Sequence, residues 1–129
     1  MKFVVPRMPI GVQAERAPAY ALSFREGCAV STDSSDTIAD GLAVRHASEE
    51  NVREIAARVD EFAVVSEEEM LAAVRKLILD EHVIAEPAGA AATAALLKSG
   101  GAFRGKTVVL LVTGANIPEG LLLRALQPY

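Results

Sequence analysis

The sequence predicts an α/β fold, a three-layer αβα sandwich built on a small, mostly parallel sheet. Three observations predict it. Val108–Val112 reads VVLLV, an uninterrupted apolar run of the kind seen in strands buried on both faces. Ser66-Glu67-Glu68-Glu69 is a capping box, and it opens a segment with apolar residues at helical spacing. Short apolar stretches alternate with helical patterns along the whole chain, and that alternation means parallel strands covered by helices.

The elements follow in order. Phe3-Val4-Val5 and Ile10-Gly11-Val12 are split by Pro6 and Pro9, so they cannot form one central strand. Ile10–Val12 is the first expected strand. Ala17–Arg25 is expected as a short helix. Gly27–Asp36 is a polar loop rich in Ser, Thr and Asp. Thr37–Val44 is small and apolar, with Asp40-Gly41 as a turn signal. Glu49–Val59 is a helix capped by Ser48, with Val52, Ile55, Ala56 and Val59 on one face.

Phe62–Val65 is the second strand. The long helix after Ser66 carries Met70, Leu71, Val74, Leu77 and Ile78 as its buried stripe. Its three first-turn glutamates suit the positive end of the helix dipole. Val83-Ile84-Ala85 leads to Glu86-Pro87, and Pro87 opens an Ala-rich helix ending near Leu97. Ser99-Gly100-Gly101 stops that helix. Val108–Val112 is then the third strand, and its tip is the small-residue turn Thr113-Gly114-Ala115-Asn116. A last helix runs from Pro118 to about Leu126. The predicted core is the stripe of the long helix together with Val108–Val112. In open α/β sheets, ligands sit at the carboxyl ends of strands, so the Thr113 turn is the edge where a site is expected.

Composition narrows the function. At 129 residues this is one domain, 1–129, large enough for a core. Hydrophobic residues make up 51% and aromatics only 5%, so the apolar load is Ala, Val and Leu. Mean hydropathy is +0.27 and the isoelectric point is about 5.2. A net charge of −4 argues against a nucleic-acid surface, which needs clustered Lys and Arg. Cys28 is the lone cysteine, which excludes an internal disulfide framework. There is neither a secretory signal nor a run of membrane-spanning length, and a cytoplasmic protein is expected. His46 and His82 are isolated, without partners at metal-ligand spacing. No Ser-His-Asp or Cys-His arrangement is apparent.

Three pieces taken together resemble one family: DTIADG (Asp36–Gly41), EPAGAA (Glu86–Ala91) and VVLLVTGANI (Val108–Ile117). Their order and spacing are similar to the C-terminal half of the fold type II pyridoxal-phosphate enzymes, in the threonine/serine dehydratase and serine racemase branch. The resemblance runs from about Ile10 to about Leu126. It implies a cofactor-binding set of Thr113, Gly114, Glu86, Asp40 and Gly41. Thr113 would be the hydroxyl partner of the cofactor's pyridine nitrogen. Glu86 would stand beside the ring, with Asp40 and Gly41 on its other side. Each also has a plain structural reading: a strand-end threonine in a turn, an acidic residue at a helix N-terminus, an Asp-Gly turn. The family usually has Gly-Gly after the Thr113 position. Ala115 departs from that, and could crowd a ring or demand a different backbone angle.

Other family features have no match. The Schiff-base lysine in a Ser-x-Lys context, the SGNHGQ-like loop and the glycine-rich phosphate cradle are not found. The four lysines, Lys2, Lys76, Lys98 and Lys106, lie in other contexts. The family's divalent-ion positions correspond to Gln13, Ala17 and Ala19, two of which have lost their charge, so no metal site is expected. No catalytic residue is expected either. Three functions remain open on the sequence. One is a truncated dehydratase-like domain, inactive alone and not binding pyridoxal phosphate by itself. A second is a subunit completed by an N-terminal half on another chain. The third is a self-associating or small-ligand binding module. A homodimer is the expected assembly, with no nucleic-acid or membrane partner.

Overall fold

The computed structural model describes residues 7–127. The Phe3–Val5 piece lies outside the described residues. Strand β1 (Ile10–Ala14) pairs in parallel with β2 (Glu61–Val65), in register from Ile10 opposite Glu61 to Ala14 opposite Val65. Helices α1 (Ala19–Glu26) and α2 (Glu49–Arg58) pack together, and α1 lies on the sheet. Phe24 of α1 meets Phe62 of β2 with ring centroids 5.2 Å apart. Helix α3 (Glu67–Glu81) packs along α4 (Pro87–Lys98), which covers the sheet from the other side. Helix α5 (Glu119–Leu126) lies against α3. The result is an α/β fold with helices on both faces of a two-stranded parallel sheet.

Local chemistry explains the helix boundaries. Ser66 Oγ accepts from the Glu69 N–H at 3.1 Å, and Glu69 Oε2 accepts from the Ser66 N–H at 2.8 Å. The capping box read from the sequence is therefore closed from both sides. Lys98 Nζ also reaches Glu69 Oε2 at 3.0 Å and the Val64 carbonyl at 2.9 Å, tying the end of α4 to β2. Partial burial works to raise the Glu69 pKa, but the Ser66 N–H and the Lys98 ammonium outweigh it and hold the carboxyl below its usual range. Ser48 Oγ accepts from the Asn51 N–H and caps α2. Pro87 occupies the first turn of α4, and Pro118 immediately precedes α5.

The core is built of small residues around a few larger ones. Met70, Val65 and Val74 are fully buried, and Leu71 and Leu77 are buried beside them. Ala14, Ala73, Ala85, Ala90, Ala91 and Ala94 fill the rest. Ile78 is half-buried and packs against this cluster. The stripe predicted for the long helix is thus the core.

The third predicted strand is not one. Val108–Val112 is neither strand nor core: Val109 is 81% and Leu111 71% exposed. A strand buried on both faces needs a ladder neighbour and a covering layer. The described chain forms one ladder, between β1 and β2, and it does not extend to Val108–Val112. The apolar run lies outside any ladder and is mostly exposed, with Leu110 half-buried.

Truncating Leu77 to Ala in α3 should cost about 2–5 kcal/mol, the range for large-to-small changes in a core. Denaturant titration checks this, and a loss below about half a kcal/mol would show that the stripe is not buried.

Candidate functional site

The site grows from the first turn of α4. Glu86 is the residue before Pro87 at the start of α4, and its side chain makes no capping hydrogen bond to the helix. Its N–H donates to the Gly114 carbonyl at 2.9 Å, which pins the 113–117 turn to the start of α4. The approach is very close. A Cβ on Gly89 would stand 2.5 Å from the Gly114 oxygen, and one on Gly114 would stand 2.3 Å from Glu86 Oε1. A Cβ on Gly41 would meet the Ala88 Cβ at 3.0 Å and Glu86 Oε1 at 4.0 Å. The Glu86 carboxylate therefore lies between two glycine backbones. Nothing with a side chain could replace Gly114 without moving it.

These segments enclose a cleft of about 230 Å³. Asp40, Glu86 and Asn116 supply its polar groups, and Ile38, Pro87, Ala88, Pro118 and Leu121 its apolar walls. Asp40 starts a single 3₁₀ turn, Asp40–Leu42, at the end of the 36–41 loop. Of the five residues inferred for the cofactor, Glu86 and Asp40 line the cleft, while Gly41 and Gly114 pack against Glu86. Thr113 is exposed and does not line the cleft, although it directly precedes Gly114. Ala115 does not need an unusual backbone. Among the described residues, His82 is the one non-glycine with positive φ.

Other expectations have a place too. Gln13 is buried, and its Oε1 accepts from the Ala21 N–H at 2.8 Å, which caps the open N-terminus of α1. Ala17 and Ala19 are fully buried. At the positions that the family resemblance matches to a divalent-ion site, this chain has a helix cap and packed methyls. His46 Nδ1 pairs with Ser31 Oγ at 3.0 Å, and His82 ends α3 in the left-handed region. Cys28 is exposed and free.

Comparison with known proteins decides the family. The model of the pyridoxal-phosphate dependent enzymes matches residues 6–114. The chain belongs to the pyridoxal-phosphate dependent enzyme family. Within this family it is 35% identical over 118 residues to an L-threonine ammonia-lyase of Thermotoga maritima, matching 92% of this chain and 29% of that protein. It is 41% identical over 112 residues to a catabolic L-threonine dehydratase of Staphylococcus aureus, matching 84% of this chain and 32% of that one. A threonine deaminase from T.th. superposes with a TM-score of 0.79 at 31% identity, over 86% of this chain and 40% of its own. Tomato (Solanum lycopersicum) threonine deaminase isoform 2 gives 0.83 at 28%, over 92% and 35%. Maize serine racemase, at 24% identity, shares the fold with a TM-score of 0.79. The chain spans about a third of the length of the curated relatives it matches. It is a partial threonine dehydratase-like domain of this pyridoxal-phosphate family.

Pyridoxal phosphate brings a phosphate dianion, an aldehyde and a ring nitrogen, and the cleft can be tested against each. The phosphate needs cations or a nest of N–H groups, and the aldehyde needs an amine. The cleft presents two carboxylates, an amide and apolar walls. Among the described residues, Lys76 pairs with Asp80, Lys98 with Glu69, and Lys106 lies over the Phe103 ring. None of the three lines the cleft. Lys2 lies outside the described residues. These residues on their own do not fit the cofactor.

Two site features escape the sequence reading. One is Gly89. A glycine inside an Ala-rich helix is a signal of close packing, and the sequence does carry it. The other is Glu67, which the sequence places only in a capped first turn. It is buried, and both its oxygens serve the 36–41 loop. Nothing in its spacing separates it from Glu68 and Glu69.

Gly89→Ala tests the contact, because helix propensity and packing oppose each other there. Propensity favours alanine by about 1 kcal/mol. The clash with the Gly114 backbone should reverse the sign and leave a net loss of about 1–3 kcal/mol. Gly114→Ala meets the mobile end of Glu86 and should cost less, with Glu86→Ala in the same chain restoring part of the loss. Thermal denaturation of the three variants checks the order.

Proposed function

We propose that this chain forms one wall of the cofactor pocket of a threonine/serine dehydratase-like enzyme and is inactive by itself. The observation that carries this reading is the charge of the cleft: two carboxylates and no amine. Without a lysine there is no imine to hold the cofactor and no base for the substrate's α-proton. In this reading Glu86 and Asp40 flank the ring, while Gly41 and Gly114 give it room. Thr113 is the hydroxyl the family resemblance assigns to the ring nitrogen, and it would have to turn in from its exposed position beside Gly114. A neutral hydrogen bond nets about 0.5–1.5 kcal/mol. A micromolar site needs about 8 kcal/mol. Thr113 alone falls far short. The exposed free thiol of Cys28 suits a reducing compartment, and the setting proposed is the cytoplasm. Among the described residues, no helix is long and apolar enough to cross a membrane.

Pyridoxal phosphate added to the purified chain should give weak visible absorbance that does not saturate, with no ammonia released from serine or threonine. Borohydride trapping and peptide mapping check this. Stoichiometric label on one lysine, abolished by Thr113→Val, would overturn the inactive reading.

The uncovered Val108–Val112 run favours a second feature, association with another polypeptide. An exposed apolar segment that belongs to no ladder invites association. The partner is a second copy, by default in a two-fold dimer, or a chain carrying the complementary half. A dimer should appear in sedimentation at high micromolar concentration, and Val109→Lys with Leu111→Lys should weaken it. A clean monomer at that concentration removes the homodimer.

A further inference from the structure

The 36–41 loop brings Ile38, Asp40 and Gly41 to the cleft, and its only regular structure is the one turn at Asp40–Leu42. Among the described residues, two side chains distant in the sequence hydrogen-bond to it. Arg16 Nη2 donates to Asp36 Oδ2 at 2.8 Å, with both side chains largely exposed. Glu67 is the other. It is 8% exposed, accepts the Thr37 hydroxyl on Oε1 at 2.7 Å, and accepts the Ile38 N–H on Oε2 at 2.8 Å. Thr37 Oγ1 in turn accepts from the N–H of Ala39, which is fully buried.

We propose that Glu67 is the positioning residue of the cleft: its buried carboxylate, acting through Thr37 and Ile38, sets where Asp40 and Gly41 stand beside Glu86. Three considerations carry this. The capping of α3 is already completed by Ser66 and Glu69, and both Glu67 oxygens are bonded to the loop. The bonds are charge-assisted and sheltered from water, so they are stronger than the exposed Arg16–Asp36 pair. The carboxylate is also rooted on the first turn of α3, which buries Met70, Leu71, Ala73, Val74 and Leu77 in the core, so the loop is tied to packed structure. This inference rests on the reading of the cleft as the site, but its test does not depend on a ligand.

The test is amide hydrogen exchange by NMR on the full chain, which reports local opening separately from global unfolding. Glu67→Ala should speed exchange at Ile38 and Ala39 by about tenfold or more, as expected for a lost charged hydrogen bond. It should also shift the Asp40, Gly41 and Glu86 resonances, while exchange at Ala90–Ala94 of α4 stays unchanged. Glu67→Gln loses the charge but keeps hydrogen-bonding groups, so it should restore part of the protection. Its amide oxygen can accept from the Ile38 N–H, and its NH₂ can donate to Thr37 Oγ1. Thr37→Val leaves α3 intact and should loosen the same loop amides, so it carries the test if Glu67→Ala does not fold. Arg16→Ala should leave the loop at native rates. Two results would overturn the proposal: native loop rates in Glu67→Ala and Thr37→Val, or a Gln variant as loose as the Ala variant. The latter would mean that the acceptor and donor Gln keeps for Ile38 and Thr37 do not hold the loop. A cofactor result against the cleft leaves these rates untouched, so the two readings fail separately.

Discussion

Everything in this fold depends on how closely α4 is allowed to approach its neighbours. Its buried face is Gly89, Ala90, Ala91, Thr93 and Ala94, and the face of α3 opposite adds Ala73. Side chains this small bring helix backbones together. Each contributes little apolar area, so stability depends on the fit being complete. Gly89 against Gly114 is the extreme case, where backbone meets backbone. That contact locates the 113–117 turn, the turn locates Asn116 and Pro118, and together with Glu86 they define the cleft. Thr93 shows the cost of so dense a seam: its hydroxyl is buried with no hydrogen-bond partner within the described residues.

Much of the fold was legible because its signals are local. The capping box at Ser66–Glu69, Ser48 before α2 and Glu86-Pro87 before α4 each state a helix start in a few residues, and the structure starts a helix at each. The Met70–Ile78 stripe could be read from periodicity because one face of α3 does all the burying. Val108–Val112 could not be read this way. An apolar run states that a segment is suited to burial, whatever polypeptide does the covering. In this chain the described residues leave most of the run exposed, with Leu110 half-buried.

The site was half legible for a related reason. Glu86, Gly114, Asp40 and Gly41 could be named from family likeness, and the fold brings them together around one carboxylate. What holds them there could not be named. Gly89 acts through the absence of a side chain, and Glu67 through contacts thirty residues away in sequence. Neither role leaves a pattern of spacing. Gln13 is the opposite case. Its polar head at a buried strand end is explained by the one N–H it caps at the start of α1.

The charge of the cleft constrains what can complete it. Asp40 and Glu86 face a space of about 230 Å³ whose other walls are mostly apolar. Apolar walls lower the local dielectric and strengthen the repulsion between these carboxylates and any entering anion. A phosphate-bearing ligand is therefore disfavoured here until cations or a nest of N–H groups stand on the open side. If Asp40 and Glu86 flank the ring as proposed, the groups that recognise phosphate would be separate from them. The same reasoning sets a condition on any completing surface. Under the proposed reading it would cover Val108–Val112 and bring positive potential to the mouth of the cleft. A second copy of this acidic chain meets the first requirement more readily than the second. A homodimer could therefore be stable and still leave the cleft unable to hold the cofactor.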